Sequence, residues 1–317
     1  MKLQGNGIVA QSGGPTAVIN NSVCGVTEEW IKKSSKGGIL YGGIHGIKGI
    51  LGEDLLELSS LPQEKIKGLR YTPGAALGSS RYKLQEEDYH RLLQVFQKRN
   101  IRYFFYIGGN DSMDTADRVH RLALRENYPL IVIGVPKTID NDLPYTDHCP
   151  GYGSTAKYLA ATVMETGIDL KGLITNRRVT ILEVMGRNAG WLAAATALAK
   201  KDQADVPHLI YLPEVPFYKD KFLEDVERIY RELGYVYVVA SEGIKDENGN
   251  YVVNTGSSRD SFGHVQLGGL AGTLKELVEK ETGIKARCNI PGTTQRSAMH
   301  LASRTDAEEA YMVGAEA

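Results

Sequence analysis

The sequence predicts an α/β protein, two Rossmann-like βαβ domains built around parallel sheets. Three observations carry that reading. The chain has 317 residues, enough for about two domains at roughly 150 residues each. Short runs rich in Val, Ile and aromatics alternate with longer amphipathic stretches, the pattern of βαβ units. Glycine is in excess at 35 residues against 11 prolines, about 11% where roughly 7% is usual, which points to tight loops and not to low complexity.

In chain order the apolar runs predict strands at 7–11, 39–41, 103–107, 130–135, 179–183, 209–212, 235–240 and 285–290. The amphipathic stretches between them predict helices at 18–33, 86–99, 113–127, 155–170, 189–200, 219–233 and 272–282. Segments 47–80 and 242–268 are rich in Gly and Ser and less periodic, and read as loops with short pieces; DENGN at 246–250 is a turn signal. Trp30 and Trp191 fall inside helical patterns and are expected in the core. No internal repeat is visible. No Pro- or Ser-rich linker divides the chain, so the two domains are expected to be joined by crossings of the chain.

Charge sets limits. Lys and Arg number 37 and Asp and Glu 38, a formal net charge of −1. Such a balance offers no global field for nucleic acid or an anionic membrane, so any anion site must be built locally. Cys24, Cys149 and Cys288 lie far apart with no metal-type spacing, which argues against a disulfide framework and suits a reducing compartment. The opening MKLQGNGIVAQ has no signal-peptide core, and no apolar run approaches the 18 residues of a membrane span. A cytoplasmic location is expected.

Three strands of the first half each run into a loop of unusual chemistry. IVAQ leads to Ser12-Gly13-Gly14-Pro15-Thr16, YFFYI to Gly108-Gly109-Asn110-Asp111-Ser112, and LIVIGV to Pro136-Lys137-Thr138-Ile139-Asp140-Asn141-Asp142. Ligands of open parallel sheets bind beyond the carboxyl ends of the strands. A glycine pair between strand and helix lets backbone N–H groups approach a phosphate, though one pair alone is equally a tight turn. Two pairs beside Lys137 favour phosphate. Neither loop matches the GK[ST] phosphate loop or the spaced dinucleotide fingerprint, which disfavours a nicotinamide dehydrogenase. Asp140 and Asp142 could divide the work of accepting a proton from an attacking alcohol and orienting a metal, or could simply cap and turn the loop. Arg178, Arg187, Arg287 and Arg296, near strand ends, could hold a sugar phosphate by bidentate contacts. The seven histidines show no HxxxH or HExxH spacing and read as structural or exposed.

Taken in order, these motifs resemble the phosphofructokinase family. GGPT at 13–16, GSSRYK at 78–83, GGNDS at 108–112, PKTIDND at 136–142, MGRNAGW at 185–191, SEG at 241–243, TQR at 294–296 and HLASRTDAEEA at 300–310 all appear. The start QSGGPTAVIN and the PYTDH after TIDND are similar to the diphosphate-dependent bacterial branch. The resemblance implies a phosphofructokinase fold, with residues 1–150 plus 295–317 as the diphosphate domain and 151–294 as the fructose 6-phosphate domain. It implies reversible phosphoryl transfer from diphosphate to the 1-hydroxyl of fructose 6-phosphate, with Mg2+ as cofactor.

The resemblance also implies roles. Asp140 would be the base, Thr138 would position it, and Asp142 would support the loop. Gly14 and Arg81 would contact the donor. Met185, Gly186, Arg187, Glu242, Thr293 and Arg296 would line the sugar-phosphate site, although many relatives carry His or Tyr where Thr293 stands. Asn110 takes the place of a magnesium-binding Asp and has one charge fewer. Arg178 and Arg287 match arginines that reach in from a neighbouring subunit, so a homo-oligomer, dimer or tetramer, with shared sites is expected. Asp111 and Lys137 stand where ATP-using relatives have Gly, which favours diphosphate. An ATP-dependent 6-phosphofructokinase and a non-catalytic sugar-phosphate-binding subunit stay open as alternatives. The closing AEEAYMVGAEA stops within a helical pattern where this branch continues, so a shortened C-terminus is expected.

Overall fold

The computed structural model describes residues 3–33, 38–173, 178–253 and 267–317, which form nine strands and eleven α-helices. The first part runs β1 (Asn6–Gln11), α1 (Ile19–Lys33), β2 (Leu40–Gly43), α2 (Gly46–Leu51), β3 (Leu55–Glu57), α3 (Gln63–Gly68) and α4 (Glu86–Lys98). It continues with β4 (Ile101–Gly108), α5 (Asn110–Arg125), β5 (Ile131–Pro136), α6 (Tyr152–Gly172), β6 (Val179–Val184), α7 (Trp191–Ala195) and β7 (Leu209–Tyr211). The last part is α8 (Lys219–Leu233), β8 (Val236–Ser241), α9 (Leu270–Thr282), β9 (Ala286–Asn289), α10 (Thr294–Ser297) and α11 (Arg304–Glu316). Two compact units result: Met1–Ser154 with Arg296–Ala317, and Thr155–Gln295. Residues 254–266, which include His264 and much of the expected 242–268 loop, lie outside the described residues.

The first unit holds a five-stranded sheet in the order β3-β2-β1-β4-β5, parallel except for β3. β4 shows why the sheet is buried on both faces. Side chains alternate along a strand, so Phe104 and Tyr106 join Ile8, Leu92 and Phe96 on one face. Phe105 and Ile107 join Val9, Val23 and Val135 on the other. Adjacent β1 and β4 continue to opposite sides of the sheet, and the gap beyond their carboxyl ends is the switch point at which such sheets bind ligands.

α11 closes this unit from the far end of the sequence by lying against α1. A Cβ on Gly25 would run into the Tyr311 carbonyl, and one on Gly314 into the Ser22 carbonyl, so the two backbones approach as only glycine permits. The Asn21 amide donates to the Ala307 carbonyl at 2.9 Å, and the Tyr311 hydroxyl donates to Glu28 at 2.7 Å.

The second unit holds a four-stranded parallel sheet in the order β7-β8-β6-β9. β6 and β8 are buried at every position, hence the unbroken apolar runs VTILEV and VYVVAS expected of strands covered on both faces. α8 packs through Phe222, Val226 and Ile229, the spacing of one helical face.

Segment 47–80 is loop with short pieces, as expected: α2, the antiparallel β3 and α3, elements too short to show a period. Two expectations are corrected. The stretch 189–200 is α7 followed by a 3-10 turn at Thr196–Ala199. Trp191 is 52% exposed, because it opens α7 and the buried positions there are Leu192, Ala193 and Ala195.

Candidate active site

In the first unit, cations gather where β1 ends. The Lys137 ammonium is buried and donates to the Gly14 carbonyl at 2.8 Å. A Cβ on Gly14 would fall 2.6 Å from Nη1 of Arg296 and 3.5 Å from Nη2 of Arg81. Any side chain at position 14 would therefore displace a guanidinium. Burial pushes the Lys137 ammonium down to about 8; Asp140 nearby opposes that shift, and the Arg296 and Arg81 charges add to it. Three cations thus surround a half-buried backbone turn, an arrangement with the charge to hold a polyanion. α1 starts only at Ile19, so the first glycine pair does not adjoin a helix end, and the positive charge beside it comes from side chains. The second pair does adjoin a helix. α5 begins at Asn110, three residues earlier than the sequence pattern suggested, because the Gly109 carbonyl accepts from the Ser112 and Met113 amides. Asp111 thus lies in the first helical turn and Gly109 is the cap.

The TIDND loop is held by its own polar groups. The Thr138 hydroxyl accepts from the Asp140 amide at 3.1 Å. Asn141 adopts the left-handed conformation, φ 53°, which Asn tolerates better than most residues. Its side chain donates to the Asp147 carbonyl at 3.3 Å and accepts from the Cys149 amide at 2.8 Å. Asn141 therefore fixes the directions of Asp140 and Asp142, a role that its place between two carboxylates disguised in the sequence. The Asn110 amide donates to Asp142 at 2.9 Å. Asp142 is exposed as a residue, yet its carboxyl is desolvated by its neighbours and pushed above the usual range, with the Asn110 bond acting against that.

In the second unit, Met185-Gly186-Arg187 and Glu242 follow the adjacent strands β6 and β8. The Glu242 amide donates to the Val184 carbonyl at 2.9 Å, and the Ser241 hydroxyl donates to the Gly186 carbonyl. Gln295 accepts from the Met185 amide at 3.0 Å and donates to the Gly292 carbonyl at 2.9 Å. Sequence reasoning passed over Gln295, although TQR contains it. Thr293 is exposed just before α10. Arg178 and Arg287 stand elsewhere. Arg178 precedes β6 and Arg287 pairs with Thr180, near the amino end of that strand. Arg187 follows the carboxyl end, roughly 20 Å away at about 3.3 Å per residue. Arg178 is 3% exposed, and its Nε and Nη1 find no hydrogen-bond partner among the described residues. Arg296 belongs to the first unit and stands beside Gly14.

The structure also joins residues that sequence spacing kept apart. His148, Asp306 and Glu309 bring potential metal-ligating atoms within 4.8 Å of one another. Asp306 is already engaged: one carboxylate oxygen accepts from the Gly151 amide at 2.8 Å, the other from the amide and hydroxyl of Ser154 at 2.9 and 2.5 Å. It caps the start of α6, and the other two members, His148 and Glu309, pair with each other.

Comparison with known proteins then decides the family. The phosphofructokinase family model matches residues 6–317. The chain belongs to the phosphofructokinase family. Among its relatives, a pyrophosphate–fructose 6-phosphate 1-phosphotransferase of Halomonas elongata is 46% identical, over 99% of this chain and 76% of its own. The enzyme of the same name from Xanthomonas campestris pv. campestris is 48% identical, over 98% and 75%. The crystal structure of a pyrophosphate-dependent phosphofructokinase from Marinobacter aquaeolei superposes with a TM-score of 0.89 at 46% identity, covering 99% of this chain and 74% of that one. Among the described residues no helix is long and apolar enough to cross a membrane.

Proposed function

We propose that this chain transfers a phosphoryl group reversibly between diphosphate and the 1-hydroxyl of fructose 6-phosphate, giving fructose 1,6-bisphosphate and phosphate. The observation that carries the donor side is the cradle of Lys137, Arg81 and Arg296 around Gly14, which has the charge for a compact polyanion. In this reading the first unit holds diphosphate and the base, and the second holds the sugar phosphate through Met185, Gly186, Arg187, Glu242 and Thr293. Asp140 takes the hydroxyl proton as the alcohol attacks, and the cationic cradle offsets the charge that accumulates on the leaving phosphate. Asn110 and Asp142, joined by a 2.9 Å hydrogen bond, supply hard oxygen donors of the kind Mg2+ accepts, since that ion uses one or two carboxylates together with substrate phosphates. When bound, Mg2+ would neutralise phosphate charge at these residues, with the Asn110 side chain as a neutral ligand.

A coupled assay with diphosphate and with ATP tests the donor. Turnover is expected with diphosphate, and ATP should be a poor substitute. The pH profile should carry the Lys137 signature. With its ammonium held at about 8, Lys137 is charged below that pH and neutral above it, so kcat/KM for diphosphate should fall from pH 7 to pH 9. Lys137→Met should be slow throughout and lack this fall. A profile for the unmodified enzyme that stays flat across the range would remove Lys137 from donor binding.

The positions of Arg178 and Arg287 favour an oligomer with shared sites. Both stand at the end of β6 opposite Arg187, too far along the strand to serve the same site within one chain. Mixing inactive Arg178→Ala subunits with inactive Asp140→Ser subunits should restore activity, because some hybrid sites then contain both groups. Demonstrated subunit exchange without recovery would count against sharing.

A further inference from the structure

We propose that Gln11 and Asn20 are positioning residues that set the place of Arg81 in the donor site; the inference rests on the reading of that site as a donor cradle. Both side chains are interior, 0% and 1% exposed. The Gln11 amide donates to the Asn20 side-chain oxygen at 2.8 Å and its own oxygen accepts from the Leu77 amide at 3.0 Å. The Asn20 oxygen also accepts from the Ala76 amide at 2.8 Å, and its NH2 group donates to the carbonyls of Thr72 and Gly74 at 2.7 and 2.9 Å. Both protons of the Asn20 amide and both side-chain oxygens are used. Four of the five bonds end on the backbone of residues 72–77, a stretch with no strand of its own to carry those groups.

From there the chain has little freedom before Arg81. The His45 amide donates to the Leu77 carbonyl at 2.7 Å, the Gly13 amide donates to the Ser80 carbonyl at 3.0 Å, and the Ser79 hydroxyl donates to the Gly13 carbonyl at 2.6 Å. Ser12 and Ser80 form a parallel bridge, so residues 79–80 extend the sheet beside the end of β1. The next residue is Arg81, whose guanidinium lies beside Gly14. Gln11 ends β1 and Asn20 lies in the first turn of α1, so the clamp refers Arg81 to the same strand and helix that flank the Ser12–Thr16 loop. A buried amide pair with each side-chain nitrogen and oxygen engaged fixes geometry, because any shift of the 72–77 backbone would strand a polar group in the interior.

A double-mutant cycle separates positioning from general stability. Asn20→Ser is expected to raise KM for diphosphate about tenfold or more while KM for fructose 6-phosphate stays within about twofold. In an Arg81→Ala background the same change should add nothing, since residues that act through one another are not additive. The proposal is overturned if Asn20→Ser costs the same factor with and without Arg81, if both KM values rise together, or if neither moves. Should Asn20→Ser lose its cooperative melting transition, Gln11→Met removes two of the five bonds and carries the same cycle with the same criteria. The unmodified enzyme is assayed first with both donors. Preference for ATP would defeat the donor assignment alone, and the cycle would then be read in KM for ATP.

Discussion

Asp140→Asn is expected to lower turnover by about 10²–10⁴-fold, the usual contribution of a positioned base, with fructose 6-phosphate affinity almost unchanged. Asn has the shape of Asp and keeps one acceptor oxygen, but it cannot take the hydroxyl proton. The loop should survive the exchange, because its form depends on Thr138 accepting from the amide of residue 140 and on the Asn141 side-chain bonds. None of these uses the Asp140 carboxylate. Steady-state kinetics with separate titration of the sugar phosphate provides the check. Turnover within about threefold of the unmodified enzyme would exclude Asp140 as the base.

Asp111→Gly should admit ATP. In the proposed donor site the Asp111 carboxylate, in the first turn of α5, opposes the additional phosphate charge of a nucleotide. Two unit charges about 4 Å apart repel by roughly 4 kcal/mol at an effective dielectric of 20. Asp111 is exposed, so solvent and salt screen part of this. The gain in ATP affinity should therefore fall between about tenfold and a thousandfold, at about 1.4 kcal/mol per decade. Lys137→Gly should have the opposite emphasis and sharply reduce turnover with diphosphate. Competition of ATP against diphosphate in the two variants measures both effects. An Asp111→Gly enzyme as indifferent to ATP as its parent would show that discrimination lies elsewhere.

Long elements were legible in the sequence, and short ones were not. α8 runs from 219 to 233 in both pattern and structure, because Phe222, Val226 and Ile229 repeat along one face and Gly234 ends the helix. β6 and β8 were visible as apolar runs. α2, β3 and α3 were not, since three to six residues cannot display a period. In the site, chemistry concentrated in one loop could be read directly, as in Lys137-Thr138-Ile139-Asp140. Partners distant in sequence could not. Nothing local announces that Asn20 would hold residue 72, or that Asp306 would cap α6. Asn20 and Gln11 look like ordinary polar residues until the fold buries them. The Arg296 reading shows a different limit: TQR identified the residue, while its place beside Gly14 depended on where the chain crosses back into the first unit.

That return crossing has a consequence for biosynthesis. The second unit interrupts the first, and Arg296–Ala317 must come back to it. During translation, residues 1–154 are made first and then wait for roughly 140 more residues, about seven to thirty seconds at roughly 5–20 residues per second. Throughout that interval α1 has no α11 to cover Gly25, Asn21 waits for Ala307, and the start of α6 lacks the Asp306 carboxylate. Arg296, and with it the third cation of the cradle, arrives only after the second unit has been made. Ribosome-bound chains halted near residue 290 should therefore be far more sensitive to protease within α1 than chains that also carry Arg296–Ala317.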